Sequence, residues 1–163
     1  MLLKFFLNDN TTSYLRDLED EFNESSNAIR YELNRFADGH LLTSKMQGNK
    51  KVYKANKKHP LFNDIHLLML KHTGLDQIIV RVIEKLGGLE KVFLTGNFAR
   101  GLDSRIIEII MIGEEIDHAY LQHMVEKTES LVNRKIKYVL LNFSQENIYM
   151  NDHPGAFLLW EAK

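Results

Sequence analysis

The sequence contains no cysteine, which excludes disulfides, thiolate metal ligands and cysteine nucleophiles. Only two prolines and nine glycines occur among the 163 residues, so collagen-like and proline-rich organisation are excluded as well. No apolar run approaches the roughly 20 residues that span a bilayer. The apolar stretch 1–7 is too short and lacks the preceding basic region of a signal peptide. We therefore expect a cytoplasmic protein with no membrane association.

The composition that remains is that of an ordinary globular protein, with 44% hydrophobic and 26% charged residues. The net charge of −1 conceals an uneven distribution. Six lysines and no acidic residue occur between positions 41 and 60, whereas thirteen acidic residues outnumber ten basic ones from position 73 onward. This pattern favours a polyanion-binding region followed by a domain with another role, although a solvated lysine-rich loop would give the same local charge.

The first third of the chain predicts two helices and a hairpin. Helical spacing of apolar residues covers 13–22 and continues from Ile29 to Phe36, with Ser25 as the N-cap of the second helix and a stop at Gly39. Two β-like runs then flank a Gly-containing turn at 47–49. This order of elements, in which two helices joined by a short turn precede a basic hairpin, is typical of a winged helix-turn-helix.

The remainder predicts two helices and then an α/β domain. Apolar residues at 61–70 and 75–86 indicate helices, and Gly87-Gly88 ends the second. Strands are expected at 91–95, 106–112 and 136–143, with a helix at 117–134 between the last two and a short helix and an apolar element in the tail. We thus predict a two-domain α+β or α/β protein, with a winged helix over 1–60, linker helices over 61–88 and a small mixed-sheet domain over 89–163.

Nucleic-acid contacts are predicted on the second helix and the hairpin. The helix would enter the major groove, where Arg30 could pair with guanine and Asn27 with adenine or a phosphate. The residues at the hairpin tip would contact the sugar-phosphate backbone or the minor groove, and the lysines on its strands could add phosphate contacts. The candidate DNA-binding residues are Ser26, Asn27, Arg30, Tyr31, Lys45, Gln47, Asn49, Lys50, Lys51 and Lys54. The alternative is a module that mediates protein contacts only.

Two family resemblances extend this interpretation. Residues 2 to about 60 resemble the winged-helix domain of bacterial arsenical-repressor-type regulators, with a very short first helix. The motif Gly96-Asn97-Phe98-Ala99-Arg100-Gly101 resembles the Gly-Ser-x-Ala-Arg-Gly loop of minimal nucleotidyltransferases of the polymerase-beta type. In that family the next strand carries Asp-x-Asp, which corresponds here to Ile106-Ile107-Glu108. The resemblance implies a nucleotidyltransferase-like second domain.

Departures from the nucleotidyltransferase pattern predict that this domain is inactive. Nucleotidyl transfer uses two divalent cations held by carboxylates, and here Ile106 replaces the first aspartate. No acidic residue occurs between Arg134 and Gln145, where the resemblance places a third carboxylate. We therefore assign no catalytic residue, metal or cofactor. The residues of a possible nucleotide-binding relict are Gly96, Asn97, Arg100, Gly101 and Glu108; alternatively these residues only shape a tight loop, with Arg100 in a structural salt bridge.

The sequence thus predicts a homodimeric transcriptional regulator that binds double-stranded DNA. Its second domain would serve dimerisation, partner contact or nucleotide sensing. The first alternative is a divergent active nucleotidyltransferase that uses the winged helix to find its target. The second is a protein-interaction module with affinity for neither DNA nor nucleotides. The seven histidines are dispersed and predict surface or capping roles rather than a metal sensor.

Overall fold

A computed structural model describes all of residues 1–163, which form two compact units, Met1–His66 and Leu67–Lys163. Eight α-helices and two β-sheets make up the fold, so the predicted mixture of α and β structure is confirmed. The division between the units lies within α4 (Phe62–Thr73), inside the segment predicted as linker helices. None of the eight helices is long and apolar enough to cross a membrane.

The amino-terminal unit combines three helices with a three-stranded antiparallel sheet in the order β1-β3-β2. Its elements before α4 are α1 (Leu2–Phe6), β1 (Thr12–Tyr14), α2 (Leu15–Phe22), α3 (Ser26–Asp38), β2 (Leu42–Gln47) and β3 (Lys50–Ala55). The predicted hairpin is confirmed. The predicted start of the first amphipathic helix at Ser13 is wrong, because Ser13 belongs to β1 and pairs with Tyr53 of the central strand.

The turn between α2 and α3 forms as its residue types predict. Asn23 adopts a left-handed conformation (φ 51°), and the Ser25 side chain accepts a hydrogen bond from the Ala28 amide at 3.3 Å. Ile29 and Leu33 are buried on the inner side of α3. The outer side of α3 therefore remains available to solvent.

The helix α3 ends at Asp38 with Gly39 as its C-cap, as predicted. Gly39 has an ordinary negative φ of −78°, and the left-handed residue is His40, with φ 57°. The His40 amide donates to the Ala37 carbonyl at 3.0 Å, and the Leu41 amide donates to the Phe36 carbonyl at 2.9 Å. These bonds satisfy carbonyls at the helix end and direct the chain into β2.

The stretch 1–7 forms part of the core of the amino-terminal unit. Phe5, Phe6 and Leu7 are almost completely buried. Lys4, on the same helix, is also buried and lies 2.7 Å from a carboxylate oxygen of Glu21. We had not predicted α1, because periodicity cannot define a helix of five residues.

The carboxy-terminal unit contains a four-stranded mixed sheet in the order β6-β5-β4-β7. Along the chain its elements after α4 are α5 (Leu75–Arg81), a 3-10 turn (Ile83–Lys85), β4 (Leu89–Thr95), α6 (Gly96–Ala99), β5 (Ile106–Gly113), α7 (His118–Val132), β6 (Lys135–Leu141), α8 (Phe143–Asn151) and β7 (Phe157–Glu161). The parallel pair β5 and β6 is connected by α7, whereas the other pairs are antiparallel. The mixed sheet was predicted correctly.

Two predicted boundaries in this unit are wrong. The helix expected over 75–86 ends at Arg81 and is followed by the 3-10 turn. The third strand was expected to reach Phe143 but ends at Leu141. Asn142 instead caps α8, accepting a bond from the Gln145 amide, while the Gln145 side chain accepts one from the Asn142 amide. Because Asn142 is the N-cap, Phe143 is the first residue of α8 rather than the last residue of the strand.

The central strand β5 presents two different faces. Ile107, Ile109 and Met111 lie on one face and are buried. The other face begins with Ile106 and Glu108 and ends in an apolar cluster around Ile110 and Ile112, with Tyr149 and Met150 of α8 packed against it. Glu108 therefore lies on the face that α8 covers, at the end of β5 where that face is only partly buried.

Candidate nucleic-acid interface

An open groove of about 760 Å³ lies beside α2, α3 and the hairpin in the amino-terminal unit. Its lining includes four of the predicted DNA-binding residues, Ser26, Arg30, Lys50 and Lys51. These residues come from α3 and from β3, which are separated in sequence by the rest of α3 and by β2, and the fold brings them to one concavity. The second helix and the hairpin therefore share a single surface.

The groove also includes residues that the sequence analysis missed, namely Tyr14, Arg16 and Asn34. The Tyr14 hydroxyl donates a hydrogen bond to Oε1 of Gln47 at 3.1 Å, and Nζ of Lys50 lies 5.1 Å from the centre of the Tyr14 ring. The apolar spacing over 13–22 predicts that Tyr14 lies in a helix, whereas Tyr14 ends β1. The signal for a strand, three residues alternating in burial, is too short to detect in the sequence.

The groove carries an excess of positive charge. Arg16, Arg30, Lys50 and Lys51 contribute four cations, whereas Asp17 and Glu19 contribute two carboxylates. None of the four cations takes part in a salt bridge within the chain, whose ion pairs involve other residues. Four positive charges are thus available to an anionic ligand.

Six of the predicted residues do not line this groove: Asn27, Tyr31, Lys45, Gln47, Asn49 and Lys54. Tyr31 is 63% exposed on the outer side of α3, with the Arg35 guanidinium 5.7 Å from its ring centre. Gln47 and Asn49 lie at the exposed tip of the hairpin. Lys54 lines a separate depression at the base of the sheet.

The glycine-flanked segment of the carboxy-terminal unit is a helical turn rather than the expected loop. Gly96 begins α6 with φ +64°, and the Arg100 amide donates to the Asn97 carbonyl at 3.0 Å. The Glu108 carboxylate lies over Gly96, in the space that a side chain there would fill. Of the possible relict residues, the structure therefore places Gly96 and Glu108 in direct contact.

Arg134 holds the segment that follows this turn. Its guanidinium donates to Oδ1 of Asp103 at 2.8 Å and to the Ser104 carbonyl, and it lies 5.2 Å from the centre of the buried Phe98 ring. This role is not predictable from the sequence, because Arg134 is distant in sequence from the three residues that it contacts. The one sequence feature that pointed to Arg134 is its position just before a predicted strand.

The residues at this turn do not fit a pair of divalent cations. Glu108 is the single carboxylate in the Ile106-Ile107-Glu108 segment. No group of three or more His, Asp or Glu side chains is placed to hold a metal ion. A two-cation centre depends on several such ligands. Two histidines bind backbone carbonyls instead: Nδ1 of His66 donates to the Phe6 carbonyl oxygen at 2.7 Å, and Nδ1 of His153 donates to the Tyr149 carbonyl oxygen at 3.0 Å.

A second polar arrangement joins α7 to β6. The Glu129 carboxylate accepts hydrogen bonds from the Ile136 amide at 2.8 Å and from Nζ of Lys135 at 2.9 Å. The Ile136 amide and, secondarily, the Lys135 ammonium hold the pKa of Glu129 below its usual value. At the other end of the sheet, the Glu146 carboxylate raises the pKa of Lys91, whose Nζ lies 2.9 Å away. The first contact ties α7 to β6, and the second ties α8 to β4.

The solved structures to which the chain is partly similar include the following two. One comes from Sulfolobus solfataricus and is named as a candidate nucleotidyltransferase; it is 23% identical, with a TM-score of 0.39, over 58% of this chain and 82% of the other. The second is a mutant of the toxin–antitoxin MntA-HpeT, 15% identical with a TM-score of 0.43 over 55% of this chain and 73% of the other. The chain matches no protein-family model and no curated protein.

Proposed function

We propose that this chain is a cytoplasmic transcriptional regulator that binds double-stranded DNA through an amino-terminal winged helix-turn-helix. The observation that carries the proposal is the groove in which Arg30 of α3 and Lys50 and Lys51 of the hairpin converge. The element order, with α2 and α3 joined by a tight turn and followed by a hairpin, agrees with this class of DNA-binding domain.

The geometry of α3 supports a recognition role. Ser26 and Asn27 lie in its first turn, and Arg30 follows one turn later on the exposed side. The leading end of a recognition helix is the part that contacts base edges in the major groove. Arg30 is the residue type that pairs bidentately with guanine, whereas Asn27 suits adenine. We therefore assign base contacts to α3 and phosphate contacts to Lys50 and Lys51.

Fluorescence anisotropy of the full chain with labelled duplex DNA tests this proposal. We expect binding at low salt that weakens steeply as salt rises, because phosphate contacts release counterions. Selection of binding sequences from a random duplex pool should then return an enriched motif. Absence of binding to any duplex at about 50 mM salt would contradict the proposal.

For the carboxy-terminal unit we propose a nucleotidyltransferase-like domain that has lost transfer chemistry. Supporting observations are the Gly96–Gly101 turn between two strands and the absence of a group of three or more His, Asp or Glu side chains that could hold a metal ion. The remaining candidate role for Gly96, Asn97, Arg100, Gly101 and Glu108 is nucleotide or partner contact. Incubation with labelled nucleoside triphosphates and magnesium or manganese should leave the protein and added DNA or RNA unlabelled. Labelling that disappears in Glu108→Ala would instead support the active nucleotidyltransferase.

We further propose that the chain acts as a homodimer. The supporting observation is a pair of adjacent leucines within α4, Leu67 and Leu68, each more than half exposed. Apolar side chains that are exposed together often mark an interface. Sedimentation of the wild-type chain should give the mass of two copies, and Leu67→Ser with Leu68→Ser should shift it toward one copy. A sedimentation mass of one copy at every protein concentration would contradict the proposed homodimer.

A further inference from the structure

A pocket of about 310 Å³ lies in the carboxy-terminal unit, where α7 ends and where β5 and β6 begin. Three of the side chains that line it are cationic and one is anionic, so the lining carries an excess of positive charge. We call it the basic pocket. The lining residues are Arg105, Glu129, Ser130, Asn133, Arg134 and Lys135.

The basic pocket is separate from the turn at Gly96–Gly101. None of the residues of the possible nucleotide-binding relict lines it. The Lys135 amide donates to the Arg105 carbonyl at 2.9 Å, which extends the pairing of β5 with β6 by one residue. Because side chains alternate along a strand, Arg105 lies on the face of β5 that carries Ile107, whereas Glu108 lies on the other face. The basic pocket is therefore a second site rather than an extension of that turn.

The guanidinium of Arg134 is held in place by the chain itself. Its Nη1 donates to Oδ1 of Asp103 and to the Ser104 carbonyl, and the group lies over the Phe98 ring. These contacts leave only 16% of the Arg134 side chain exposed. A guanidinium also has N–H donors on Nε and Nη2, and no hydrogen bond within the chain uses them. Arg134 is thus fixed in position with donors available to an anion.

Arg105 supplies the second guanidinium of the basic pocket. Its side chain is exposed, and none of the salt bridges of the chain includes it. The charge of Arg134 is offset by Asp103 at 2.8 Å. The charge of Lys135 is offset by Glu129 at 2.9 Å. The charge of Arg105 therefore remains without a counterion and attracts an external anion.

We infer that the basic pocket binds the phosphate group of a small molecule between the guanidinium groups of Arg105 and Arg134. Each guanidinium can donate two parallel hydrogen bonds to one oxyanion. The oxygens of a phosphate can accept from both groups at once, whereas one guanidinium already occupies both oxygens of a carboxylate. A pair of arginines in one pocket therefore favours phosphate over a carboxylate.

The lining also limits the rest of the ligand. It contains no aromatic side chain to stack on a nucleobase and no apolar side chain to cover an acyl chain. The volume of about 310 Å³ is at the lower end of the range for ligand pockets. Inorganic phosphate and small phosphomonoesters share the chemistry that this lining recognises. The inference does not depend on DNA binding, because the basic pocket and the groove share no residue.

Isothermal titration calorimetry of the full chain with inorganic phosphate and, separately, with glycerol 3-phosphate tests the inference. We expect at least one of these anions to bind more tightly than acetate does at the same ionic strength. Tighter binding of glycerol 3-phosphate would support a phosphorylated small molecule as the ligand, and tighter binding of inorganic phosphate would support the free ion. If neither anion binds more tightly than acetate, the inference is wrong.

Variants of Arg105 locate the binding. Arg105→Gln removes the guanidinium that has no counterion and breaks no salt bridge, so we expect phosphate affinity to fall about tenfold or more. Arg105→Lys keeps the charge but cannot donate two parallel bonds, so its affinity should lie between those of Arg105→Gln and the wild type. Arg81→Gln is the matched control, because Arg81 is an exposed arginine of α5 outside the basic pocket. It should bind phosphate as the wild type does.

Three results from these variants would overturn the inference. Wild-type phosphate affinity in Arg105→Gln would show that the anion binds elsewhere. Loss of phosphate binding in Arg30→Gln, with full affinity in Arg105→Gln, would place the anion in the groove of the amino-terminal unit and leave the proposed function intact. Full affinity in Arg105→Lys would show that a point charge is sufficient and that two guanidinium groups do not hold the anion.

Discussion

The Glu108 carboxylate covers Gly96 so closely that a β-carbon at position 96 would overlap with it. The two residues are held together by the pairing of β4 with β5, in which Thr95 is the partner of Glu108. The Thr95 hydroxyl also donates to the Glu108 carbonyl at 3.2 Å. The contact at the start of α6 is therefore fixed by both backbone and side chain.

A double-mutant cycle should detect this contact as an energetic coupling. Gly96→Ala places a side chain at φ +64°, which costs about 1–2 kcal/mol of stability in any background. In the wild-type background the overlap with the Glu108 carboxylate adds to this cost, and in Glu108→Ala it does not. Urea unfolding followed by the fluorescence of Trp160, the single tryptophan, measures both costs in this unit. Equal costs in the two backgrounds would mean that the carboxylate simply moves aside.

Arg30 should determine sequence preference. We expect Arg30→Ala to reduce affinity for the selected motif by about 1–3 kcal/mol, because a bidentate pair with a base is lost. Affinity for unrelated duplexes should fall much less. Arg35→Ala is the matched control, since Arg35 lies on the same helix but outside the groove. Competition binding with motif and scrambled duplexes measures the ratio, and an equal loss on both duplexes would contradict base recognition by Arg30.

The neighbouring glycines at 87 and 88 should respond very differently to alanine. A β-carbon on Gly88 would overlap with the backbone carbonyl of Glu114, and Gly88 has φ +76°. Because a backbone atom on the adjoining strand end cannot move away easily, we expect Gly88→Ala to lose more than about 2 kcal/mol of stability. Gly87→Ala meets no neighbouring atom and should be close to neutral. Similar urea midpoints for the two variants would refute this local geometry.

Glu129 should contribute stability that depends on pH. Its pKa is lower in the folded chain than the ordinary 4.5, so its contribution is complete above that value and disappears as the pH falls through the lowered pKa. We expect Glu129→Gln to lower stability by about 0.5–1.5 kcal/mol at neutral pH, the range for one hydrogen bond. The difference from wild type should shrink below pH 4.5.

Glu126→Gln is the control for this pH dependence. Glu126 lies on the same helix and interacts with Gln122 at 3.0 Å rather than with the strand. Thermal unfolding of the three proteins at several pH values provides the measurement. A difference between Glu129→Gln and wild type that stays constant with pH would show that the carboxylate charge is not involved.

Much of the secondary structure could be predicted because it follows from local periodicity and capping. The helix α3 combines an N-cap at Ser25 with buried residues at helical spacing, and both signals lie within the helix itself. The strand β5 is almost continuously aliphatic because both of its faces are largely buried. In contrast, β1 exists only because β3 pairs with it, and three residues carry no period of their own.

The sequence was sufficient to predict which residues belong to the candidate site, but not how the fold arranges them in space. Arg30, Lys50 and Lys51 were identified from charge and element order, and the fold places them in one groove. The separation of Lys54 from that groove depends on strand register, which the sequence does not reveal. The Arg134 contact with Asp103 joins residues 31 apart in sequence, and only the assembled sheet brings them together.

The order of strands has a consequence for how the protein is made. In the amino-terminal unit the central strand β3 completes its sheet by residue 55, so that sheet can close while synthesis continues. In the other unit, β4 pairs with β7, which is synthesised after β5 and β6. The edge of β4 must therefore stay unpaired, and open to aggregation, until Phe157–Glu161 has emerged.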